Sequence, residues 1–396
     1  MAEVESTIPL VRLAELCSKI GSGATPRGGS TVYQDLGIAF IRSQNVHDNR
    51  FDETGLVRIN DDAADQLKGV EVQSGDVLLN ITGDSVLRCC LVPDDVLPAR
   101  VSQHVAILRS NGSVVPRFLQ GFLVAPGVRA ELLTIASGGA TRKALTKAQI
   151  EAIEIPLPSL RRQHAIAEVL GALDDKIAAN TRLAVTAHGL ARSLLALGEP
   201  NVPVSEIAVH SRLTVNPEVM PVPRVAHYSL PAFDIGTGPE VVAPESIKSN
   251  KFLVSEPSVL VSKLNPRFPR VWNLPHLPEE PALASTEFVV LVPTACSTTV
   301  LWALTSQPRF GAALEGMVAG TSGSHQRVKP AEMLATLVPD PRRLEPSLLA
   351  QVDALGARSL AAQAENVTLA ATRDTLLPQL MSGKLRVRET AEMAGL

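Results

Sequence analysis

The stretch Glu154–Asn180 reads EIPLPSLRRQHAIAEVLGALDDKIAAN, and it decides the architecture of the chain. A short apolar run ends at two prolines, Pro156 and Pro158, and no further proline follows until Pro200. In between, apolar side chains recur in alternating steps of three and four residues, which predicts an amphipathic helix with a heptad stripe. A helix of roughly 35 residues is about 50 Å long, which is more than one globule of about 150 residues requires.

The same pattern occurs a second time. Residues 145–158, LTKAQIEAIEIPLP, superpose without a gap on residues 328–341, VKPAEMLATLVPDP. Each stretch follows a small, Gly-rich, basic segment and precedes a long helical stretch, and the two helical stretches also match each other. An internal repeat of this length predicts a tandem duplication in the order globule, long helix, globule, long helix.

The two predicted helices carry corresponding stripes. A single stripe is typical of a helix packed on its own domain, but two matched copies favour helices that pair with each other. The expected paired positions are Ile166, Leu173, Asn180 and Leu190 in the first helix and Val352, Leu355, Asn366 and Leu376 in the second. The two asparagines have two interpretations, since a polar stripe residue either fixes the register or lies at the solvent edge.

Composition restricts the class of protein. The chain has 396 residues, of which 45% are hydrophobic and 19% charged, so it has enough apolar residues for two or three folded domains. Its formal net charge of −3 excludes a globally basic nucleic-acid coater but leaves room for local basic loops. No leader or membrane-length apolar run is recognisable, and four cysteines without CxxC spacing favour a reducing cytoplasm.

Signatures of catalysis are weak. Gly21 and Gly23 form a lone GxG without the spacing of a phosphate-binding loop. Asp174-Asp175-Lys176 resembles half of a nuclease site but lies within the heptad stretch, and no cysteine or histidine spacing suits zinc. We therefore predict no catalytic residue, cofactor or metal in this chain.

Polar and basic loops occur in both copies. Arginine, glutamine and asparagine are the side chains that bind base edges, and lysine and arginine suit phosphates. In the first copy the candidates for DNA contact are Arg42, Gln44, Asn45, Asn49, Arg50, Arg142 and Lys143. In the second copy they are Lys263, Arg267, Arg270, Gln326 and Arg327. An ordinary solvated surface loop remains the alternative interpretation for each of them.

The chain resembles the specificity subunits of type I restriction–modification systems. Glu154–Asn180 follows that family's pattern I-P-L-P-x-x-x-x-Q-x-x-I…L-x-x-L-D-x-x-I. Further marks are VLVSKLNPRFPRVW at 259–272, ALASTEFVVLVP at 282–293 and LLPQLMSGKLRV at 376–387, and the first copy has counterparts at 75–84 and 102–109. The second copy of the central motif is degraded, because it lacks the glutamine and the Leu-Asp pair.

The resemblance implies an α+β fold in which an α/β target-recognition globule and a long helix are duplicated. The target-recognition domains would be residues 1–155 and 199–341, the central spacer helix 156–198, and the C-terminal spacer helix and tail 342–396. The helices would pair as an antiparallel coiled coil.

It also implies a non-catalytic subunit whose globules each recognise half of a bipartite double-stranded DNA target. Two methyltransferase subunits, and restriction subunits for cleavage, would be the partners, and the cofactors would belong to them. Because the recognition loops of the copies differ, we expect an asymmetric target. The alternatives from other classes are a stand-alone DNA enzyme and a duplicated protein-binding scaffold.

Overall fold

A computed structural model describes residues 8–138, 143–236, 238–318, 326–382 and Leu385. The chain divides into two compact units. The first unit comprises Met1–Asn180 and Ala364–Leu396, and the second unit comprises Thr181–Gln363. Each unit therefore contains one globule together with a part of each long helix.

The element orders of the two halves of the chain are similar but not identical. The strands are β1 (Leu10–Arg12), β2 (Cys17–Ser22), β3 (Tyr33–Gln34), β4 (Ile38–Ile41), β5 (Val46–His47), β6 (Arg50–Phe51), β7 (Val57–Ile59), β8 (Glu71–Val72), β9 (Val77–Asn80), β10 (Cys89–Leu91), β11 (Ala99–Val101), β12 (Val105–Ser110), β13 (Glu154–Pro156), β14 (Pro200–Pro203), β15 (Ala208–Ser211), β16 (Thr214–Val215), β17 (Val225–Tyr228), β18 (Glu240–Val242), β19 (Lys251–Val254), β20 (Ser258–Ser262), β21 (Val271–Leu274), β22 (Ala282–Ala284), β23 (Phe288–Pro293) and β24 (Leu337–Pro339). The helices are α1 (Leu13–Leu16), α2 (Asp61–Gln66), α3 (Pro116–Val124), α4 (Pro126–Ser137), α5 (Lys147–Glu151), α6 (Leu160–Leu195), α7 (Leu230–Ile235), α8 (Thr298–Thr305), α9 (Pro308–Gly316), α10 (Pro330–Ala335) and α11 (Pro346–Ser382).

Each unit has the same two main sheets. The four-stranded antiparallel sheet has the order β10-β9-β12-β2 in the first unit and β21-β20-β23-β15 in the second. The five-stranded sheets share four corresponding strands, β7-β4-β11-β8 and β18-β17-β22-β19, with one parallel pair in each. The fifth strand differs, because β3 extends the β7 edge whereas β16 extends the β19 edge. The predicted duplication and α+β class are confirmed.

The four-stranded sheet is the centre of each globule. Alternate residues of β9 belong to different apolar clusters, with Val77 and Leu79 in one and Leu78 in the other. In β20, Val259 and Val261 are likewise separated from Leu260. A strand that is covered on both faces is apolar at successive positions. This explains the continuous apolar runs in the sequences of these strands.

The long helices begin later than the predicted spacer segments. Residues 154–156 form β13, which pairs with β1, and residues 337–339 form β24, which pairs with β14. Proline-containing segments separate these strands from the helices, and α6 begins at Leu160. Each globule is thus joined to its long helix through a two-stranded ribbon.

The two helices run antiparallel within the first unit. The Arg373 guanidinium (Nη1) donates to Asp174 Oδ1 at 2.9 Å, and Arg162 Nη2 donates to the carbonyl of Leu380 at 3.1 Å. Along the pair, higher residue numbers in α6 therefore contact lower residue numbers in α11, as in an antiparallel pair. This confirms the predicted pairing. Burial holds the pKa of Asp174 above its ordinary value, although Arg373 acts in the opposite direction.

The stripe asparagines take part in this pairing. Asn180 is only 4% exposed, and its Nδ2 donates to Glu365 Oε2 at 2.7 Å. Asn366 is half-buried, and its Nδ2 donates to the carbonyl of Ile177 at 3.2 Å. Of the two interpretations, the structure favours polar residues that specify the register, because each bond joins one helix to the other.

Most predicted stripe positions are buried, but Leu190 is not. Its side chain is 49% exposed, and the buried face continues through Ala187, Ala191 and Leu195 instead. Leu190 lies in α6 as predicted but off its buried face, because a straight helix drifts by about 20° per heptad from a strict seven-residue repeat. The remaining positions are Ile166, Leu173, Val352 and Leu376, which are buried, and Leu355, which is partly buried.

The helices also pack on the globules. Leu376 and Leu380 belong to the first unit's core together with Phe118, and Val352 belongs to the second unit's core together with Trp302. Each stripe is therefore wider than a coiled-coil seam, since it faces both the other helix and a globule.

Candidate nucleic-acid interface

In the first unit, three chain segments meet beside the end of β9. The connection between β9 and β10, residues 81–88, is called the first turn below. Ile81 N donates to His104 O at 3.0 Å, which ties the turn to the segment before β12. Gly83 N donates to Lys143 O at 2.9 Å, and Leu145 N donates to Ile81 O at 2.9 Å. Backbone hydrogen bonds therefore hold the three segments together whatever side chains they carry.

These segments line an open cavity of about 640 Å³. Its polar side chains come from all three segments and from the residues after β4. They are Ser43, Gln44, Thr82, Asp84, Ser85, Arg88, His104 and Lys143. Thr82 Oγ1 lies 2.7 Å from Nδ1 of His104, so these two side chains form a hydrogen bond on the cavity wall. The cavity offers hydrogen-bond donors and acceptors together with two cationic side chains.

Of the predicted DNA-contact residues after β4, Gln44 lines the cavity, whereas Arg42 and Arg50 contact other parts of the unit. Gln44 is exposed and lines the cavity, with its Nε2 donating to the carbonyl of Gly55 at 3.4 Å. Arg42 is half-buried, donates from Nη2 to the same carbonyl at 2.7 Å, and has its guanidinium 5.6 Å from the Tyr33 ring centroid. Arg50 is exposed beside Asp52, at 3.4 Å. Gln44 is thus the residue of this group that faces the cavity.

For Asn45, the structure corrects the prediction of a DNA contact. This side chain is fully buried, its Oδ1 accepts from Arg42 N at 3.0 Å, and its Nδ2 donates to the carbonyl of Asp52 at 2.8 Å. The predicted DNA contact of Asn45 is wrong because both ends of the amide hold the local backbone. Asn49 has a positive φ of 57°, and its Oδ1 accepts from Gln120 Nε2, which indicates a turn-forming role.

The Gly-rich loop before α5 lies partly outside the described residues. Arg142 lies outside the described residues, so its predicted contact has no structural test. Lys143 is exposed, lines the cavity and supplies the carbonyl that accepts from Gly83.

The second unit repeats the backbone frame. The connection between β20 and β21, residues 263–270, is called the second turn below. Lys263 N donates to Glu287 O, and Asn265 N donates to Gln326 O, both at 2.9 Å. Val328 N donates to Lys263 O at 2.9 Å. These bonds correspond one for one to those around the first turn.

The side chains on this frame differ from those of the first unit. Arg270 donates from Nε and Nη2 to the two carboxylate oxygens of Asp234, at 2.6 and 2.9 Å. Arg327 pairs in the same bidentate way with Glu287, whose carboxylate raises the pKa of the guanidinium. Arg267 lies over the Phe268 ring, 5.8 Å from its centroid. Two of the predicted phosphate-binding arginines are thus partly neutralised within the unit.

Sequence analysis missed several cavity residues. Thr82 and His104 lie within the first-copy counterparts of the second-copy motifs, at 75–84 and 102–109, and Arg88 lies four residues after the first of them. Arg88 corresponds to Arg270, because Asn80 N donates to Arg88 O as Ser262 N donates to Arg270 O. A residue-by-residue alignment of the two copies would have found it.

Two further features bear on other functions. Within the part of the chain that the structure describes, no group of three or more histidine, cysteine, aspartate or glutamate side chains is placed to hold a metal ion. In the same part, no single helix has the length and hydropathy to cross a membrane. The consecutive helices α3 and α4, bent by 71°, meet that test only as a pair, by length and composition.

Comparison with known proteins places the first half of the chain. The family model described as "Type I restriction modification DNA specificity domain" matches residues 6–186. The EcoBI specificity subunit of Escherichia coli is 29% identical over 165 residues, which are 40% of this chain and 34% of that protein. The putative MjaX specificity subunit of Methanocaldococcus jannaschii is 30% identical over 164 residues, again 40% of this chain and 34% of that protein. The chain thus aligns with about a third of the length of these relatives.

A solved structure extends the likeness of fold to the whole chain. The S subunit of a type I restriction–modification system from M. genitalium matches with a TM-score of 0.55 at 14% identity. The match covers 96% of this chain and 98% of that one. The chain is therefore similar in fold to that S subunit, and its residues 6–186 match the family model of type I restriction modification DNA specificity domains.

Proposed function

We propose that this chain is the non-catalytic DNA-recognition subunit of a type I restriction–modification complex. Each unit recognises one half of a bipartite double-stranded DNA target, and the target is asymmetric. The observation that carries the proposal is the repeated frame around the first and second turns, in which the same backbone bonds present different side chains. Two DNA-recognition units with the same backbone frame but different side chains suit a target whose two halves differ.

In the first unit, the cavity supplies the groups that DNA binding requires. Lys143 and Arg88 suit backbone phosphates, since cationic side chains provide most of the sequence-independent affinity for DNA. Gln44 suits a base edge, because a glutamine amide pairs with adenine through two hydrogen bonds. His104 and Thr82 add a polar wall between them.

In the second unit, contacts with DNA use residues of the second turn and of the segment bonded to it. Lys263 and the exposed Arg267 are the first candidates, followed by Gln326. Arg270 and Arg327 already have carboxylate partners, so a phosphate contact would require them to share or exchange those partners. We assign these two arginines mainly to shaping the surface.

The long helices would set the spacing of the half-sites and dock the catalytic partners. Two methyltransferase subunits would bind along the helices and globules and methylate adenine, and restriction subunits would join for cleavage. The register bonds of Asn180 and Asn366 support a fixed separation, because a helix pair that cannot slide keeps a constant length. A cytoplasmic location follows from the same role.

Co-expression with a type I methyltransferase subunit from the same genome, in an unmethylated host, tests the proposal. Single-molecule sequencing would reveal a split, asymmetric motif containing methylated adenine, absent when the methyltransferase is expressed alone. A soluble co-purifying complex without new methylation would count against DNA recognition. Modification or cleavage of DNA by the chain alone would instead indicate a stand-alone enzyme.

A further inference from the structure

We propose that Phe268 and Arg267 form one base-reading element in the second unit. The Phe268 ring contacts the methyl group of a thymine, and the Arg267 guanidinium binds the neighbouring guanine in the major groove. This inference rests on the proposed function and adds to it the bases that one unit recognises.

The first observation is an exposed aromatic ring on a turn whose counterpart points inward. Phe268 is 58% exposed, whereas Val86 in the first turn is 3% exposed. The two residues correspond, because Phe268 N donates to Asn265 O as Val86 N donates to Gly83 O, at 2.9 and 3.1 Å. A single exposed apolar side chain is common on protein surfaces. This one lies on the same frame that lines the polar cavity of the first unit.

The second observation is that the ring is held on a stiff support. Pro266 and Pro269 flank Arg267 and Phe268, and proline fixes its own backbone φ. Arg270 Nη1 donates to the carbonyl of Phe268 at 3.3 Å, and the same guanidinium is anchored by Asp234 through two hydrogen bonds. A side chain presented in this way loses little conformational entropy when it binds.

The third observation selects the kind of contact. The Arg267 guanidinium lies over the Phe268 ring, with Cζ 5.8 Å from the centroid, so one face of the ring is covered. A ring that intercalates between base pairs needs both faces, whereas a contact with a thymine methyl uses the exposed edge. Phenylalanine contacts the thymine methyl and arginine binds O6 and N7 of guanine in the major groove. The pair therefore suits adjacent thymine and guanine.

The test uses the full chain in complex with its methyltransferase subunit. Selection from randomised duplexes gives the target of the wild type, and each thymine of that target is then replaced by deoxyuridine, which lacks only the methyl group. At one thymine, beside a guanine, we expect the wild-type complex to lose about fourfold in affinity, the equivalent of one buried methyl-sized group. Phe268→Ala should weaken binding to the thymine target and be indifferent to that replacement.

Further variants control for folding and for general loss of binding. Phe268→Leu should keep the thymine preference, and Arg267→Ala should lower the preference for the adjacent guanine by about tenfold. Val209→Ala is the matched control, because Val209 is also 58% exposed and pairs with Val292, at the end of β23 remote from Glu287. It should leave affinity and target unchanged.

The outcomes separate this inference from the function on which it rests. If the wild-type complex selects no split target, the proposed function fails. If a split target is selected but Phe268→Ala shows the same uracil penalties as the wild type, this inference alone fails. An increase in 2-aminopurine fluorescence that depends on Phe268 would show an unstacked base step, and so would overturn the edge contact in favour of intercalation.

Discussion

The first and second turns have the same backbone frame but different surfaces. In the first unit the frame borders an open polar cavity that includes Lys143 and Arg88. In the second unit two arginines are bound to carboxylates and the exposed Phe268 projects from the turn. Because main-chain hydrogen bonds build the frame, its side chains can change without loss of the fold. The comparison shows that a duplicated domain can present two different surfaces on one backbone frame.

The attachment of the long helices shows the same principle in the interior. In the first unit, Gln163 is buried, its Oε1 accepts from Val115 N at 2.8 Å, and its Nε2 donates to the carbonyl of Pro158 at 2.9 Å. The second copy lacks this glutamine. There Ser297 caps α8 by accepting from Val300 N at 3.1 Å, and its hydroxyl also bonds Asp353 of α11. The degraded motif is therefore compensated by a local cap.

The largest difference between the units is expected at the helix pair. Arg373→Met removes the partner of the half-buried Asp174 and should cost about 3 kcal/mol in free energy of unfolding, the lower end of the range for a buried pair. Ser359→Ala removes only a hydroxyl that donates to the carbonyl of Ala184, and should cost about 1 kcal/mol. Hydrogen exchange of α6 and α11 peptides at neutral pH measures both. Equal losses of stability in the two variants would contradict the expectation that the ion pair contributes more than the neutral hydrogen bond.

The pH dependence sharpens this prediction. Burial raises the pKa of Asp174 in the folded state, so between its ordinary value and the raised value the folded state binds more protons than the unfolded state. Stability then falls as pH rises through that window. Arg373→Met should widen the window, and its deficit relative to the wild type should shrink under acidic conditions. A deficit that does not vary with pH would argue against an uncompensated carboxylate.

Close helix contacts should differ by a smaller amount. A Cβ at Gly356 would lie 2.3 Å from Thr299 Cγ2, whereas at Gly171 it would lie 2.9 Å from the guanidinium at the end of the long Arg117 side chain. Gly356→Ala should therefore cost about 1–3 kcal/mol. Gly171→Ala should be nearly neutral, because the gain in helix propensity offsets a small shift of Arg117.

Tryptophan fluorescence suits the Gly356 measurement. Both tryptophans of the chain, Trp272 and Trp302, are in the second unit, so the signal reports on that unit. Adding Thr299→Ser, which removes the clashing methyl group, should restore much of the lost stability. Failure of this rescue would place the defect elsewhere.

The caps should give a similar or smaller contrast. Gln163→Ala leaves the buried ends of two segments without their bonds and should cost about 1–3 kcal/mol. Ser297→Ala should cost about 1 kcal/mol, as is usual for an N-cap. Urea unfolding followed by hydrogen exchange in α3 and α8 compares them. A larger loss for Ser297→Ala would reverse our assignment of the stronger tie to the first unit.

The smallest expected effect is on DNA binding. Lys143→Ala in the complex should weaken binding to all sequences alike and reduce the slope of log affinity against log salt by about 1. The corresponding change in the second unit, Gln326→Ala, should leave the slope unaltered, because glutamine releases no counterion. Lys147→Ala, which removes a cation paired with Glu151 outside the cavity, is the control. An unchanged slope in Lys143→Ala would exclude a phosphate contact.

Much of the fold was predictable because the same sequence patterns occur in both copies of the repeat. The heptad stripes, the paired helices and the strands at Val77–Asn80 and Ser258–Ser262 follow from local patterns that both copies repeat. Leu190 was misplaced because a strict heptad departs from helical geometry over several turns. The site was harder, since Asn45 and Gln44 look alike in sequence and only the tertiary structure shows that one is buried and the other exposed.

The sequence also did not reveal which arginines pair with a carboxylate. Arg270 and Arg327 occur in stretches without a directly neighbouring acid. The partner of Arg270, Asp234, is 36 residues away in sequence, and the partner of Arg327, Glu287, is 40 residues away. Such pairs form only when segments that are distant in sequence meet in the folded chain. Basic residues in a loop therefore predict a cationic surface less securely than a structure does.

The most direct test of two independent readers is a comparison of targets. The wild-type complex, a first-unit variant with Gln44→Ala and a second-unit variant with Arg267→Ala would each be selected against the same randomised duplexes. The account predicts a split target in which each variant relaxes positions in one half only, and in different halves. Relaxation of the same half by both variants, or of both halves by either, would contradict it.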